Sequence, residues 1–311
     1  MQEHRVAEAG QNRAGQAGRP RLAVLGSINM DLRVRAPRLP VAGETILGSV
    51  FATGQGGKGA NQAIAAARAG AEVTMIGATG DDAFGLELVE SLTAAGVDCA
   101  GVRRLAGPSG IAVITVDDNG ENTIVVAPGA NGRLTELSAA DIATIQDAEL
   151  LVLQLEVPLD TVTAAAEFAA AAGVAVLLNP SPAVALPPTL LASVTFLVLN
   201  QGEAQTLGKD NLASVPHLIT TLGSAGARYR GPTGNEIVAT PPGVDSIDST
   251  GAGDAFTGAF AVAWLTGHDP SSALSWACAA GALATTKPGA SAPGRADIDQ
   301  IVGASTGGPK S

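Results

Sequence analysis

Cysteine is scarce. Cys99 and Cys278 are the only two, far apart and without the short spacing of a metal motif, so neither a disulfide framework nor a zinc site is supported. Basic residues are outnumbered, 18 Lys and Arg against 29 Asp and Glu, and the net charge of −11 opposes attraction to nucleic-acid backbones or anionic membranes. Apolar runs of spanning length are missing: segments 161–178 and 252–265 are broken by Glu167 and Gly173, and by Asp254 and Gly258. Residues 1–20 lack the apolar centre of a secretory signal and read as a disordered leader, while 304–311 read as a flexible tail. A soluble chain in a reducing, cytoplasmic compartment fits these absences. What is present is a chain of 311 residues, 46% hydrophobic and 15% charged, enough to bury a large α/β core over 21–303.

From residue 21 the chain alternates β-branched apolar runs, at 22–26, 72–77, 149–154, 174–179 and 195–200, with Ala-rich helical segments at 60–69, 83–95, 138–145 and 159–172. Continuous Val/Ile/Leu strands separated by helices predict a mostly parallel sheet covered on both faces. Two segments break the alternation. The stretch 32–50 reads as strands around the turn Pro40-Val41-Ala42-Gly43, and 111–126 reads as a hairpin across Asp117-Asp118-Asn119-Gly120. They predict a small separate sheet, inserted at about 28–53 and 110–127. Further strands are expected at 218–221 and 227–229, and helices at 253–265, 272–286 and 296–302. No repeat with a period of about 20–50 residues is visible, which excludes solenoids and propellers.

The strongest chemical signal is the polar, Gly-rich turn Asp248-Ser249-Thr250-Gly251-Ala252-Gly253-Asp254, which runs into an apolar helix. Such a turn presents unpaired N–H groups at the positive end of a helix dipole, a place for phosphate oxygens. Asp254, in the first helical turn, is positioned to take a proton from a hydroxyl held beside that anion hole. The same residues would also arise if Asp254 only complemented the dipole. A second glycine loop, Gly54-Gln55-Gly56-Gly57-Lys58-Gly59-Ala60-Asn61, opens another helix. It matches G-x-G-x-x-G only formally, since it does not follow the first core strand, and it is no Walker loop because Gly59 follows Lys58. Small residues there would let the backbone approach a polyhydroxylated ligand, with Lys58 and Asn61 donating to its oxygens. Thirdly, polar residues end apolar strands: Asn29 and Asp31, Glu156, and Asn200. In parallel α/β sheets ligands bind beyond the carboxyl ends of strands, although each residue taken singly also fits a loop cap.

Three separated motifs, Gly26-Ser27-Ile28-Asn29-Met30-Asp31, Gly56-Gly57-Lys58-Gly59-Ala60-Asn61 and Asp248 through Asp254, resemble the ribokinase-like PfkB carbohydrate kinase family, and the likeness runs from about Arg21 to Ile301. The resemblance implies a three-layer α/β/α core with a small β-sheet lid, and transfer of the ATP γ-phosphoryl to the 5-hydroxyl of D-ribose. Asn29, Asp31, Gly57, Lys58, Asn61, Glu156 and Asp254 would bind the sugar, Asp254 also acting as base, with Gly251, Ala252 and Gly253 as the anion hole. Asn200, Glu203, Thr221, Gly223, Ser224, Gly226, Gly253 and Cys278 would line the nucleotide side, Glu203 reaching magnesium through water. A potassium ion would be held by Asp248, Thr250, Ala284, Lys287, Gly289 and Ser291, mostly through backbone carbonyls. The family's lid pairs with that of a second subunit, so a homodimer is expected.

The chain departs from the family pattern in three places, one of them the segment Gly289–Arg295, about two residues short. Lys287 stands where an arginine is frequent, and the segment between Asn200 and Thr221 is about fifteen residues shorter than usual, enough to omit a helix. Only 210–216 would then remain as a connector, and apolar sheet surface beside the nucleotide would be uncovered. Other sugars or nucleosides are alternative substrates within the family, deoxyribose among them. A sugar binder with damaged nucleotide binding and a nicotinamide oxidoreductase built on 54–59 are the readings from other classes.

Overall fold

A computed structural model of the chain describes residues 18–306, so the leader expected over 1–20 lies outside it up to residue 17, and the expected tail lies outside it from residue 307. The first strand, β1 (Arg21–Leu25), shows how the core is built: Leu22 and Val24 face one apolar layer, Ala23 and Leu25 the other, and all four are buried. Side chains of a strand alternate between faces, so a strand apolar at every position must be covered twice.

Around β1 a 9-stranded sheet forms. β4 (Glu72–Gly80) and β8 (Leu150–Leu153) flank it in parallel, β5 (Val97–Leu105) pairs beyond β4, and β9 (Ala175–Leu178), β10 (Phe196–Asn200) and β11 (His217–Thr221) continue beyond β8, all parallel. β12 (Ala227–Arg230) and β13 (Glu236–Ala239) close that edge as antiparallel strands. One face is covered by helices α1 (Lys58–Ala69), α2 (Ala83–Ala94), α8 (Ala252–Leu265), α9 (Pro270–Ala284) and α10 (Arg295–Thr306). The other is covered by α3 (Ala139–Asp147), α4 (Leu159–Ala172), α5 (Pro188–Ser193), α6 (Gln201–Leu207) and α7 (Lys209–Ala213). The expected three-layer α/β/α core is thus the observed one. Among the described residues no helix is long and apolar enough to cross a membrane.

Ends are specified locally. Asp82 accepts from Gly85 N at 2.8 Å to cap α2, Ser138 and Asp141 form a capping box on α3, and Gly70 and Gly173 end α1 and α4 in left-handed conformation.

The small sheet is separate and 4-stranded, with β2 (Asn29–Arg35) at its centre between β3 (Val50–Gly56) and β6 (Gly110–Val116), and β7 (Asn122–Ala127) beyond β6. The β6–β7 hairpin closes where Asn119-Gly120 predicts it, Gly120 at φ 85°. The strands expected around residues 40–43 instead lie outside that turn: β2 and β3 pair from Asn29↔Gly56 to Arg35↔Val50, and 36–49 is a connector without regular structure, apart from a turn at Gly43. Gly54, Gln55 and Gly56 therefore belong to a strand, and the glycine loop shrinks to the turn at Gly57, φ 86°. Val113, Val125 and Phe51 are exposed on this sheet.

Two edge strands, β5 and β13, escape the sequence pattern. β5 carries Gly101, Arg103 and Arg104, and β13 buries only Ala239 fully, so neither shows the continuous apolar run of an inner strand. The shortened segment after Asn200 is no bare connector: α6 and α7 fill it. Leu207 and Val215 are buried and Leu212 partly so, against the layer holding Leu197, Leu199 and Leu218. The apolar sheet surface expected to be uncovered is covered.

Candidate active site

The carboxyl ends of the central strands carry a set of polar side chains whose positions are dictated by α1 and α8. These helices pack closely because Gly258 has no side chain; a Cβ there would meet Ala65 Cβ at 2.7 Å and Ala66 N at 2.8 Å. That approach delivers Asn61 and Gln62 of α1 to Asp254 in the first turn of α8. Asn61 Nδ2 donates to Asp254 Oδ2 at 3.0 Å, and Gln62 Nε2 donates to Asp254 Oδ1 at 2.9 Å. Gln62 Nε2 also donates to Asn179 Oδ1 at 3.0 Å, while Gln62 Oε1 accepts from Gln154 Nε2 at 2.7 Å. Both oxygens of the carboxylate thus have a fixed donor. Burial pushes the Asp254 carboxyl above its ordinary range; the Lys58 charge and the two amide donors pull against that, and Glu156 adds to it.

Asn61 Nδ2 spends one of its two N–H donors on Asp254, which leaves the second for the expected donor role, and its buried Oδ1 has no partner in the structure.

Glu156 Oε2 accepts from Ser27 Oγ at 2.5 Å and from Lys58 N, the first amide of α1, at 3.1 Å. A carboxylate is stabilised at a helix N-terminus, and here it also fastens the Ser27–Asn29 turn to α1. Ala60 N and Gly59 N donate to Ser27 O and Ser27 Oγ at 2.9 and 3.3 Å. The glycines follow from this crowding: a Cβ on Gly59 would lie 2.6 Å from Ser27 N, on Gly57 2.8 Å from Asn29 N, and on Gly56 1.9 Å from Asp31 Oδ1. Asn29 Oδ1 accepts from Asn131 Nδ2 at 2.7 Å, and Asn131 itself is held by the backbone of Ile28. Burial raises the Asp31 carboxyl, Arg33 draws it down, and the negative charges of Glu156 and Asp254 raise it further. Asn29, Asp31, Gly57, Lys58, Asn61, Glu156 and Asp254 therefore converge on one place. Ser27, Gln62, Asn131, Gln154 and Asn179 support them and were not singled out from sequence. Gln62 and Gln154 are fully buried in the fold, where an amide requires partners, but in sequence nothing sets them apart.

At the entry to α8, Gly251 adopts φ 74° and a Cβ on it would meet Ala290 at 2.7 Å. Of the three residues expected to form an anion hole, Ala252 has its N–H donated to Ser249 O at 3.2 Å, while the amides of Gly253 and Asp254 lie in the first turn, where a helix leaves N–H groups unpaired. Nothing approaches the Cα of exposed Gly253.

Beside this turn, Asn200 and Thr221 end adjacent strands in register, and the 3₁₀ turn Gly223–Ala225 follows. Gly226 has φ 96°, with no room for a Cβ against Ala239 O. Asn200 and Glu203 form a reciprocal capping box on α6: Asn200 N donates to Glu203 Oε2 at 2.8 Å and Glu203 N to Asn200 Oδ1 at 2.9 Å. The N-x-x-E spacing thus has a structural use here, with Glu203 Oε1 outside the box. Cys278, expected on the nucleotide side, lies in the helical layer. It is buried on α9 behind β13, its thiol directed at Ala239 O at 3.8 Å and pushed up to about 12 by burial.

Asp248 and the segment after α9 lie side by side. Ile247 N and Asp248 N donate to Thr285 O at 2.7 and 3.1 Å, Gly289 N to Asp248 Oδ2 at 2.8 Å, and Thr250 N to Asp248 Oδ1 at 2.9 Å. Burial raises the Asp248 carboxyl, but these donors and the Arg33 charge outweigh it and hold it below its ordinary range. One carboxylate with backbone carbonyls is a hard, all-oxygen set that fits an alkali cation and not a soft metal. Lys287 is exposed, so only its carbonyl would serve.

This arrangement has relatives. The chain is 37% identical to the ribokinase of Schizosaccharomyces pombe, covering 89% of this chain and 96% of that one, and 34% identical to the deoxyribokinase of Salmonella typhimurium, covering 86% and 93%. Arabidopsis thaliana ribokinase, solved in complex with ribose and ATP, superimposes with a TM-score of 0.85 at 32% identity over 92% of this chain and 99% of that one. Residues 19–297, which hold the aspartate at the helix start and the glycine loop facing it, match the pfkB family of carbohydrate kinases, and the chain belongs to that family.

Proposed function

We propose that this ATP-dependent sugar kinase phosphorylates D-ribose at the 5-hydroxyl, giving ribose 5-phosphate and ADP. The observation that carries the reading is Asp254: a buried carboxylate with both oxygens held by amide donors, at the start of a helix whose first amides are open. The sugar lies against Asn29, Asp31, Gly57, Lys58, Asn61 and Glu156, which supply two carboxylates, one cation and the unpaired acceptor of Asn61. These suit a ring of hydroxyls, where each O–H needs an acceptor and each oxygen a donor. Asp254 accepts the proton of the attacking hydroxyl, and the amides of Gly253 and Asp254 take the charge building on the transferred phosphoryl. Lys58, whose charge reaches Asp254, offsets the carboxylates.

ATP lies along Thr221, Gly223, Ser224 and Gly226 beside Asn200 and Glu203. Glu203, through water, would hold magnesium, which would supply positive charge to the phosphates of ATP. The oxygens of Asp248, Thr250, Ala284, Gly289, Ser291 and Lys287 would hold potassium, which adds positive charge next to the anion hole. The small sheet acts as a lid that excludes water, and its exposed Phe51, Val113 and Val125 support pairing with a second copy as a homodimer. Free Cys99 and Cys278 suit the cytoplasm, where the ATP is.

ADP release is measured with ATP, magnesium and potassium against D-ribose, deoxyribose, fructose and adenosine, with Asp254→Asn beside the wild type. Ribose-dependent turnover, lowered about 10²- to 10⁴-fold in the variant, is the expected outcome. Preference for deoxyribose or adenosine would replace the substrate; ribose binding without turnover would refute the kinase reading.

A further inference from the structure

One cation near the Asp248 loop belongs to the chain itself. Arg33 lies on β2 two and four residues beyond Asp31 and Asn29, so all three share one face of the small sheet. Its Nη2 is 3.3 Å from Asp31 Oδ2 and its Nη1 is 3.9 Å from Asp248 Oδ2, with the side chain 23% exposed. Gly289 makes the space: a Cβ there would meet Arg33 Nη1 at 2.8 Å. The guanidinium is therefore shared by two carboxylates, one in the small sheet and one in the loop that leads into α8. It is neutralised on both sides, which leaves it poorly suited to catch a substrate anion.

We propose that Arg33 is a positioning residue that supplies a fixed positive charge to the Asp248 loop, competing there with a monovalent cation and partly standing in for it. The proposal rests on the reading of Asp248 as part of an alkali-cation site. Two positive charges that share one carboxylate weaken each other's binding, by about three- to tenfold in a partly wet site. Because Arg33 also holds Asp31, the charge at the loop is tied to the strand that carries a sugar contact. The cation requirement then depends on how the small sheet sits, a link that a freely diffusing ion alone does not make.

The test uses the full chain without substrates. Thermal unfolding is followed while KCl replaces tetramethylammonium chloride at constant ionic strength, for the wild type, Arg33→Met and Arg33→Lys. The half-saturating KCl concentration is expected to be about three- to tenfold lower in Arg33→Met and close to wild type in Arg33→Lys, which keeps the charge. In the ADP-release assay, the fraction of activity left without potassium is expected to fall in Arg33→Met. A purely structural arginine would lower the melting temperature in both variants and leave the KCl midpoint where it was. An unchanged or higher midpoint in Arg33→Met, or no potassium response in any of the three proteins, overturns the proposal. The ribose reaction is judged separately: absence of turnover with a shifted midpoint would remove that reaction and keep Arg33, whereas normal turnover with an unmoved midpoint would do the reverse.

Discussion

Gln62 ties Asp254 to the amides of Gln154 and Asn179, and replacing it with methionine isolates what that link contributes to the position and basicity of the carboxylate. The two side chains are of similar length, so α1 should still pack on α8, but methionine cannot donate to Asp254 or Asn179 or accept from Gln154. A hydrogen bond to a charged group contributes about 1.5–3 kcal/mol, and a buried donor left without a partner costs about 1–3 kcal/mol. Gln154 Nε2 becomes such a donor in a residue whose Oε1 is already unpartnered. The expected loss of stability is therefore about 2.5–6 kcal/mol, large for one substitution. The chemistry moves too. The lost donor stabilised the ionised carboxylate, which burial already disfavours, so the Asp254 pKa rises further and the acid limb of the kcat/KM profile moves to higher pH. Urea unfolding followed by fluorescence measures the first quantity and ADP release across pH the second. An acid limb that stays in place in a folded Gln62→Met protein would refute the account of how Asp254 is held.

Gly56→Ala puts a Cβ 1.9 Å from Asp31 Oδ1, so the carboxylate must swing away; KM for the sugar should rise more than tenfold while kcat changes less, read from initial rates. His217, whose Nδ1 lies 2.6 Å from Tyr229 Oη within the Phe196, Phe260 and Trp264 cluster, is lowered to about 4 by burial and by the Arg230 charge. Unfolding lets this ring protonate at its ordinary 6.5, so the unfolded state takes up the extra proton. Its contribution is present in full above pH 6.5 and is lost as pH falls toward 4. It amounts to no more than about 3 kcal/mol, reduced because the ring is only partly buried. Melting temperatures across that window should slope less steeply in His217→Phe; an unchanged slope would assign the acid sensitivity to other groups.

The motifs were legible because their chemistry is local. A glycine turn before an apolar helix, with an aspartate in its first turn, can be read from a handful of neighbouring residues, and so can the inner strands β1, β8, β9 and β10, which are apolar at nearly every position, and β4 through Val73, Met75 and Ile76. The supporting residues were not legible because their reasons are distant in the chain. Gln62 serves Asp254 across 192 positions and Gln154 serves Gln62 across 92; in sequence one is a polar residue in an Ala-rich helix, the other the end of a strand. Arg33 looks like a solvated charge on a strand until the fold brings Asp248 to it.

The stretch after Asn200 shows how a short connection can cover a sheet. Removing a covering helix from a parallel sheet exposes apolar area, and each buried Leu or Val is worth about 1.5–3 kcal/mol. The remaining residues answer that cost with two short helices in succession. The capping box of Asn200 and Glu203 starts α6 at the last residue of β10, so no length is spent on a loop. Gly208 ends α6 with φ 79° and begins α7 at once, and Arg230 of β12 donates to the carbonyls of Leu212 and Val215 at 2.8 and 3.0 Å. The chain turned by these contacts sets Leu207, Leu212 and Val215 on the sheet and returns at His217 to the start of β11. β10 and β11 keep their parallel register from Phe196↔His217 to Asn200↔Thr221, so the ends of both strands stay aligned, and the turn of 223–226 follows them. Asn200 and Glu203 therefore first support the sheet, and the nucleotide role proposed for them rests on the two side-chain atoms that the cap does not use, Asn200 Nδ2 and Glu203 Oε1.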